Sequence, residues 1–111
     1  MSLHDFAVDV TEQHDRTTVS VCGDIDFDTC LSLTRALDAL ELTDRTLVLD
    51  LSAVSFMGTS FLHVLIALRH RAIAEEWTLE LSGVPDQGLR VLELTNARHL
   101  FTLRPCLTPR T

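Results

Sequence analysis

The sequence predicts a single α/β domain whose strands and helices follow one another in the order ββαβαβαβ. The apolar residues repeat with periods that alternate between about 2 and about 3.6, which are typical of strands and helices respectively. No linker, repeat or low-complexity tract interrupts the 111 residues, of which 46% are hydrophobic. A chain of this length builds one core, and strands followed by helices require right-handed crossovers. We therefore expect a mixed β-sheet with helices packed against it.

The first part of the chain predicts a β-hairpin and a helix. Alternating apolar residues indicate two strands, around Phe6–Val10 and Val19–Gly23, with the polar turn Glu12–Arg16 between them. From Asp28 to Leu40 the apolar residues fall at helical intervals, and acidic residues stand at the start, where they suit the helix dipole. This segment is expected to form a helix of about three turns.

The middle of the chain predicts a central strand and a second helix. Leu47–Leu51 is short and almost continuously apolar, which is typical of a mid-sheet strand covered on both faces. A loop over Ser52–Thr59 is expected next, and Thr59 or Ser60 is expected to cap the helix. Because sites in open α/β sheets lie beyond the carboxyl ends of strands, this loop is the first candidate site. The apolar face of the helix is expected to carry Leu62, Leu65, Ile66 and Ile73.

The last part of the chain predicts shorter elements. Trp77–Leu81 alternates as a strand does, Pro85 opens a third helix that extends through Leu92, and Leu100–Leu103 forms a final short strand. These three elements complete the predicted order.

Charge and composition exclude several classes of function. Nine basic residues, all of them arginine, stand against sixteen acidic residues and give a net charge of −7, which disfavours a nucleic-acid partner. The absence of lysine excludes P-loop nucleotide hydrolysis and Schiff-base chemistry. No apolar run is long enough to span a membrane and no leader is evident, so we expect a cytoplasmic protein without a membrane partner. Three cysteines without a C-x-x-C pair indicate reduced thiols.

Three aspartates at alternate positions, Asp24, Asp26 and Asp28, are candidates for metal binding or catalysis. A calcium loop starting at Asp24 would need glycine where Thr29 stands and glutamate where Arg35 stands. A phosphotransferase nucleophile would lack the lysine that steadies the phosphate. A solvated turn with a helix cap is therefore the favoured interpretation. The histidines are scattered, and we expect neither a metal nor a cofactor.

The hydroxyl pair Thr59 and Ser60 has two compatible interpretations. It can cap the second helix, or it can accept a phosphate, which would add nearly two negative charges at an exposed corner. A hydrolase is disfavoured because Ser60 lacks the glycine two positions later that a nucleophile elbow requires.

The segment Leu47–Leu62, which reads LVLDLSAVSFMGTSFL, resembles the signature of STAS domains, specifically of bacterial anti-sigma factor antagonists. The resemblance covers about residues 6–104 and leaves 105–111 as a tail. Further stretches agree with the family pattern: Gly23–Asp26, Ser82–Gly83, Val91–Thr95 and Leu100–Phe101.

The resemblance implies a non-enzymatic switch. In this family the unphosphorylated antagonist binds a serine kinase that is also the anti-sigma factor, which frees the sigma factor, and phosphorylation ends the complex. Carried over by position, the acceptor is Ser60, with Thr59 as the second candidate. A monomer or weak homodimer is expected. The expected partner-binding residues are Asp24, Asp26, Phe56, Met57, Gly58, Thr59, Ser60 and Phe61.

Two residues depart from the family pattern beside the acceptor. Gly58 stands where the family usually has aspartate, and Phe61 stands where it usually has glycine. If the Phe61 ring projects outward, it either obstructs a kinase or anchors a partner; if it turns inward, it packs in the core. An alternative function is therefore a divergent STAS module without a phosphoswitch, acting as a scaffold or ligand-binding subunit. An enzyme centred on the acidic residues from Asp24 to Asp28 is a third hypothesis. The family commonly continues into another helix, which is either absent here or truncated.

Overall fold

The structure is a computed structural model and describes residues 6–104. The predicted tail 105–111 and Cys106 lie outside the described residues. The observed element order confirms the prediction, with one additional 3-10 turn. The elements are β1 Ala7–Glu12, β2 Arg16–Ile25, α1 Phe27–Asp38, β3 Thr46–Met57, α2 Thr59–Glu75, β4 Thr78–Ser82, α3 Asp86–Leu94, the 3-10 turn Arg98–Leu100 and β5 Thr102–Arg104.

The five strands form one mixed sheet in the order β1-β2-β3-β4-β5. β1 is antiparallel to β2, as a hairpin must be, and the other neighbouring strands are parallel. The central position predicted for the apolar strand is confirmed, because β3 lies between two parallel neighbours. Leu49 and Leu51 are both 0% exposed. Val48, which alternation places on the opposite side of the sheet, is equally buried, so β3 is covered on both faces there.

The predicted loop Ser52–Thr59 is wrong, because β3 continues to Met57 and only Gly58 separates it from α2. The polar residues of this segment, Ser52 and Ser55, are exposed on the strand, while Val54 and Met57 face the core. Backbone pairing with β2 continues to Ile25 and Met57, with register shifts on the way. This pairing satisfies the backbone polar groups that face β2, while the Ser52 N–H donates to the Asp50 carboxylate instead of to a strand.

The predicted apolar face of α2 is also wrong in part. Ile73 is 64% exposed, Leu62 and Ile66 are half-buried, and only Leu65 of the predicted set is fully buried. Apolar residues surround much of this helix, so their spacing does not define which side faces the sheet. The buried side consists of Phe61, Leu65, Leu68 and Ala72.

Helices α1 and α2 contact each other, and Arg71 joins them by hydrogen bonds. Its two terminal nitrogens donate to the carbonyl oxygens of Leu37 and Leu40, each at 2.9 Å. These carbonyls lie at and just beyond the carboxyl end of α1, where a cation is electrostatically favourable. The contact holds the two helices side by side, which matters for the site at their opposite ends.

Candidate functional site

The starts of α1 and α2 lie together at the carboxyl edge of the sheet. Ile25 and Met57, the last residues of β2 and β3, are partners in the strand register. The Gly58 N–H then donates to the Ile25 carbonyl oxygen at 3.1 Å. Because one helix begins directly after each of these strands, the pairing places the first turns of both helices side by side.

The start of α1 is a capping box centred on Asp26. The Asp26 carboxylate accepts a hydrogen bond from the Thr29 N–H at 3.0 Å, and the Asp26 N–H donates to Thr29 Oγ1 at 2.7 Å. The bond from the Thr29 N–H is the main cause that holds the pKa of Asp26 below its ordinary value. The prediction of a helix cap among these aspartates is therefore confirmed, and the cap is Asp26.

The start of α2 differs from the prediction, because its N-cap is Gly58 and not Thr59 or Ser60. Gly58 has the extended backbone of a cap residue, with φ −78° and ψ 166°, and contributes no side-chain hydrogen bond. Thr59 and Ser60 are the first two residues inside the helix, so neither has the extended backbone that side-chain capping requires.

The hydroxyl of Ser60 lies against a buried thiol instead of capping the helix. Ser60 Oγ is 3.7 Å from Cys30 Sγ, a hydrogen bond in which either atom can donate. Cys30 is 5% exposed and Ser60 is half-buried. Burial raises the pKa of the Cys30 thiol; the hydrogen bond with Ser60 offsets part of this effect, and the negative charge of Asp26 adds to it. The thiol is therefore protonated near neutral pH. Cys30 is a neighbour of Ser60 that sequence reasoning missed.

Four of the predicted partner-binding residues form an exposed or half-exposed patch, which we call the edge surface: Asp24, Asp26, Phe56 and Thr59. Asp24 and Phe56 are strand partners, and Phe56 is 46% exposed. A Cβ atom built on Gly58 would lie 3.6 Å from the Phe56 ring and 3.8 Å from Ser60 Oγ. Gly58 and Ser60 are half-buried and border this patch.

Two residues predicted to bind a partner are buried and cannot form part of the edge surface. Phe61 is 0% exposed and Met57 is 3% exposed. Phe61 turns inward because it leads the buried side of α2. Met57 packs beneath α3, where a Cβ atom on Gly88 would come within 2.6 Å of the Met57 sulfur. The outward orientation considered for the Phe61 ring is therefore wrong.

Gln87 is a further residue near this edge that sequence reasoning missed. Its side-chain amide pairs with both backbone groups of Met57, accepting from the N–H and donating to the carbonyl oxygen, each at 3.1 Å. The amide thus takes the place of a neighbouring strand at the end of β3 and anchors α3 there. No local sequence signal indicates such a contact, because it joins residues thirty positions apart.

The model of the protein family described as "Mlab, STAS domain" matches residues 8–105. The chain belongs to the STAS-domain family. The resemblance inferred from the sequence is therefore confirmed at the level of the family. A STAS-domain containing protein of Pseudomonas aeruginosa strain UCBPP-PA14 is 26% identical over 86 residues, which cover 78% of this chain and 85% of that protein.

Two solved structures show the same STAS fold. An anti-sigma factor antagonist from Mycobacterium paratuberculosis is 30% identical, with a TM-score of 0.81 over 93% of this chain and 88% of that one. The anti-sigma factor antagonist SpoIIAA in its unphosphorylated form is 11% identical, with a TM-score of 0.70 over 89% of this chain and 87% of that one. At that identity, the SpoIIAA structure supports the fold alone. Across residues 6–104, none of the helices combines the length and apolarity that crossing a membrane requires.

Proposed function

We propose that this STAS domain is an anti-sigma factor antagonist. It binds an anti-sigma factor serine kinase through the edge surface and thereby releases a sigma factor, and phosphorylation of Ser60 ends the complex. It acts in the cytoplasm by binding, without catalysing a reaction itself. The similarity to the mycobacterial anti-sigma factor antagonist, which extends over 93% of this chain, supports this proposal.

The observation that carries the proposal is the position of Ser60 beside an exposed, acidic edge. Ser60 is the second residue of α2 and is half-buried, while Thr59, Phe56 and Asp26 around it are more exposed. A phosphate would add roughly 1.5 to 2 negative charges to this edge. The helix start tolerates that charge, but an interface packed against the neutral Ser60 hydroxyl does not, because the phosphate has to be desolvated there and lies beside the carboxylate of Asp26. Phosphorylation thus changes affinity without unfolding the domain.

The inward orientation of Phe61 supports access of a kinase to Ser60. The residue after the acceptor departs from the family's glycine, yet its ring is fully buried beneath the first turn of α2. The ring therefore adds no bulk at the surface over which a kinase would have to close. Thr59 and Phe56 are among the exposed side chains beside the acceptor.

The proposal is tested by measuring the affinity of the cognate kinase for Ser60→Ala and Ser60→Asp variants. Ser60→Ala should bind as wild type does and accept no phosphate. Ser60→Asp should bind at least about tenfold more weakly, because its charge partly imitates phosphate. Thr59→Ala is the matched control, since it removes the neighbouring hydroxyl and should leave Ser60 phosphorylation intact. Equal affinity of both Ser60 variants would remove Ser60 from the switch.

A second candidate function is a STAS module without a phosphoswitch, acting as a constitutive scaffold or ligand-binding subunit. Gly58 favours it, because this residue supplies no side chain where the family pattern has an aspartate next to the acceptor. The matching family model is also described by its STAS domain and not as an antagonist. Such a module would bind its partner equally well before and after incubation with kinase and ATP, and Ser60 would carry no phosphate.

A further inference from the structure

The contact between Ser60 and Cys30 has a consequence for phosphoryl transfer. Cys30 lies on the inner side of α1 and is 5% exposed, so the Ser60 hydroxyl in contact with it is directed towards the crevice between α1 and α2. A phosphoryl group has three oxygens and nearly two negative charges at neutral pH. It does not fit against a buried thiol whose surroundings already feel the negative charge of Asp26.

Ser60 must therefore turn its hydroxyl away from Cys30 before it can be phosphorylated. In the transfer, Ser60 Oγ attacks the γ-phosphorus of ATP held by the kinase. The bond between Oγ and phosphorus forms, the bond between that phosphorus and ADP breaks, and the hydroxyl proton passes to a base of the kinase. While Oγ contacts the sulfur atom, it faces the neighbouring helix and not a kinase bound outside, which works against this attack.

We propose that Cys30 is a positioning residue that holds the Ser60 hydroxyl inward and thereby slows its phosphorylation. This inference rests on the proposed function, in which Ser60 is the acceptor. The contact links the first turns of two helices that are fixed side by side through the Ile25–Gly58 hydrogen bond and the Arg71 bonds at the other end. The orientation of the hydroxyl is thus set by helix packing and not by a flexible loop.

Kinetics of phosphorylation by an anti-sigma factor serine kinase with ATP test the inference. Cys30→Val removes the sulfur but keeps an apolar side chain of similar size, and Cys30→Ser keeps a hydrogen-bonding group. Cys30→Val should raise kcat roughly two- to fivefold, as expected for losing one weak hydrogen bond, while Cys30→Ser stays at or below wild type. KM should be unchanged in both, because residue 30 lies beneath the edge surface. A Cys30→Val kcat at or below wild type, or an equal increase in both variants, would overturn the inference.

A second readout needs no kinase and separates this inference from the proposed function. Three-bond couplings between the α and β protons of Ser60 should show one dominant side-chain rotamer in wild type and Cys30→Ser, and averaging in Cys30→Val. Identical couplings in all three proteins would overturn the inference. A wild-type protein that shows the single rotamer but receives no phosphate on Ser60 would instead refute the phosphoswitch.

Discussion

Two phenylalanines lie near the candidate acceptor Ser60, and the structure predicts that removing one mainly lowers stability while removing the other mainly weakens kinase binding. Phe61 is 0% exposed and Phe56 is 46% exposed. Phe61→Ala deletes a ring from the core and should lower the free energy of unfolding by about 3 to 5 kcal/mol. Full burial of such a side chain contributes about 1.5 to 3 kcal/mol, so half-exposed Phe56 has about 1 kcal/mol to lose.

The measurement is a pair of thermal denaturation curves together with the affinity of each folded variant for the kinase. For a domain of this size, the Phe61→Ala penalty corresponds to a melting temperature lower by roughly 12 to 20 °C. Phe56→Ala should shift the melting temperature by only about 4 °C, yet weaken kinase binding by about tenfold or more, because exposed aromatic side chains are frequent binding anchors. Equal destabilisation by both substitutions would refute the assignment of Phe61 to the core and of Phe56 to the edge surface.

Three further predictions concern the core and the two helix starts. Leu49→Ala should lower the free energy of unfolding by about 2 to 5 kcal/mol, because Leu49 is fully buried in β3; an unchanged denaturation midpoint would contradict the central strand. Gly58→Asp should stabilise the protein by a few tenths of a kcal/mol, since the backbone there is extended and a Cβ atom meets nothing closer than 3.5 Å; Gly58→Ala, a poor cap, is the control and should not stabilise. The folded-state pKa of Asp26 lies below its ordinary value of 3.8. The ionised Asp26 cap therefore stabilises the folded protein above pH 3.8, and this contribution is lost as the pH falls through the lowered pKa. The stability difference between wild type and Asp26→Asn, which keeps a capping side chain, should therefore shrink on acidification below about pH 4, and a difference that grows would contradict the capping role of the carboxylate.

Much of the fold was predictable because its signals are local. The almost continuously apolar run Leu47–Leu51 predicts a central strand, and the structure buries Leu49 and Leu51 completely. A cap among Asp24, Asp26 and Asp28 was recognisable because capping depends on residues within one turn, and the structure shows that Asp26 is the cap, with Thr29 three positions later.

The errors concern features that depend on distant partners. Ser52–Met57 has the composition of a loop, but it is held as a strand by pairing with β2, which no local pattern reveals. The direction of Phe61 depends on how α2 is rotated against the sheet, and an apolar helix leaves that rotation open. The Cys30–Ser60 contact spans thirty residues and follows from the packing of α1 on α2. The orientation of the side chains around Ser60 therefore required the fold.

Release of a sigma factor tests the proposed function most directly. A complex of a fluorescently labelled sigma factor with its anti-sigma factor kinase should lose the sigma factor when the unphosphorylated protein is added. Addition of ATP should restore the complex with wild type but not with Ser60→Ala, because only wild type can be phosphorylated. A sigma factor that stays bound at saturating concentrations of the unphosphorylated protein would contradict the account, whatever the phosphorylation state of Ser60.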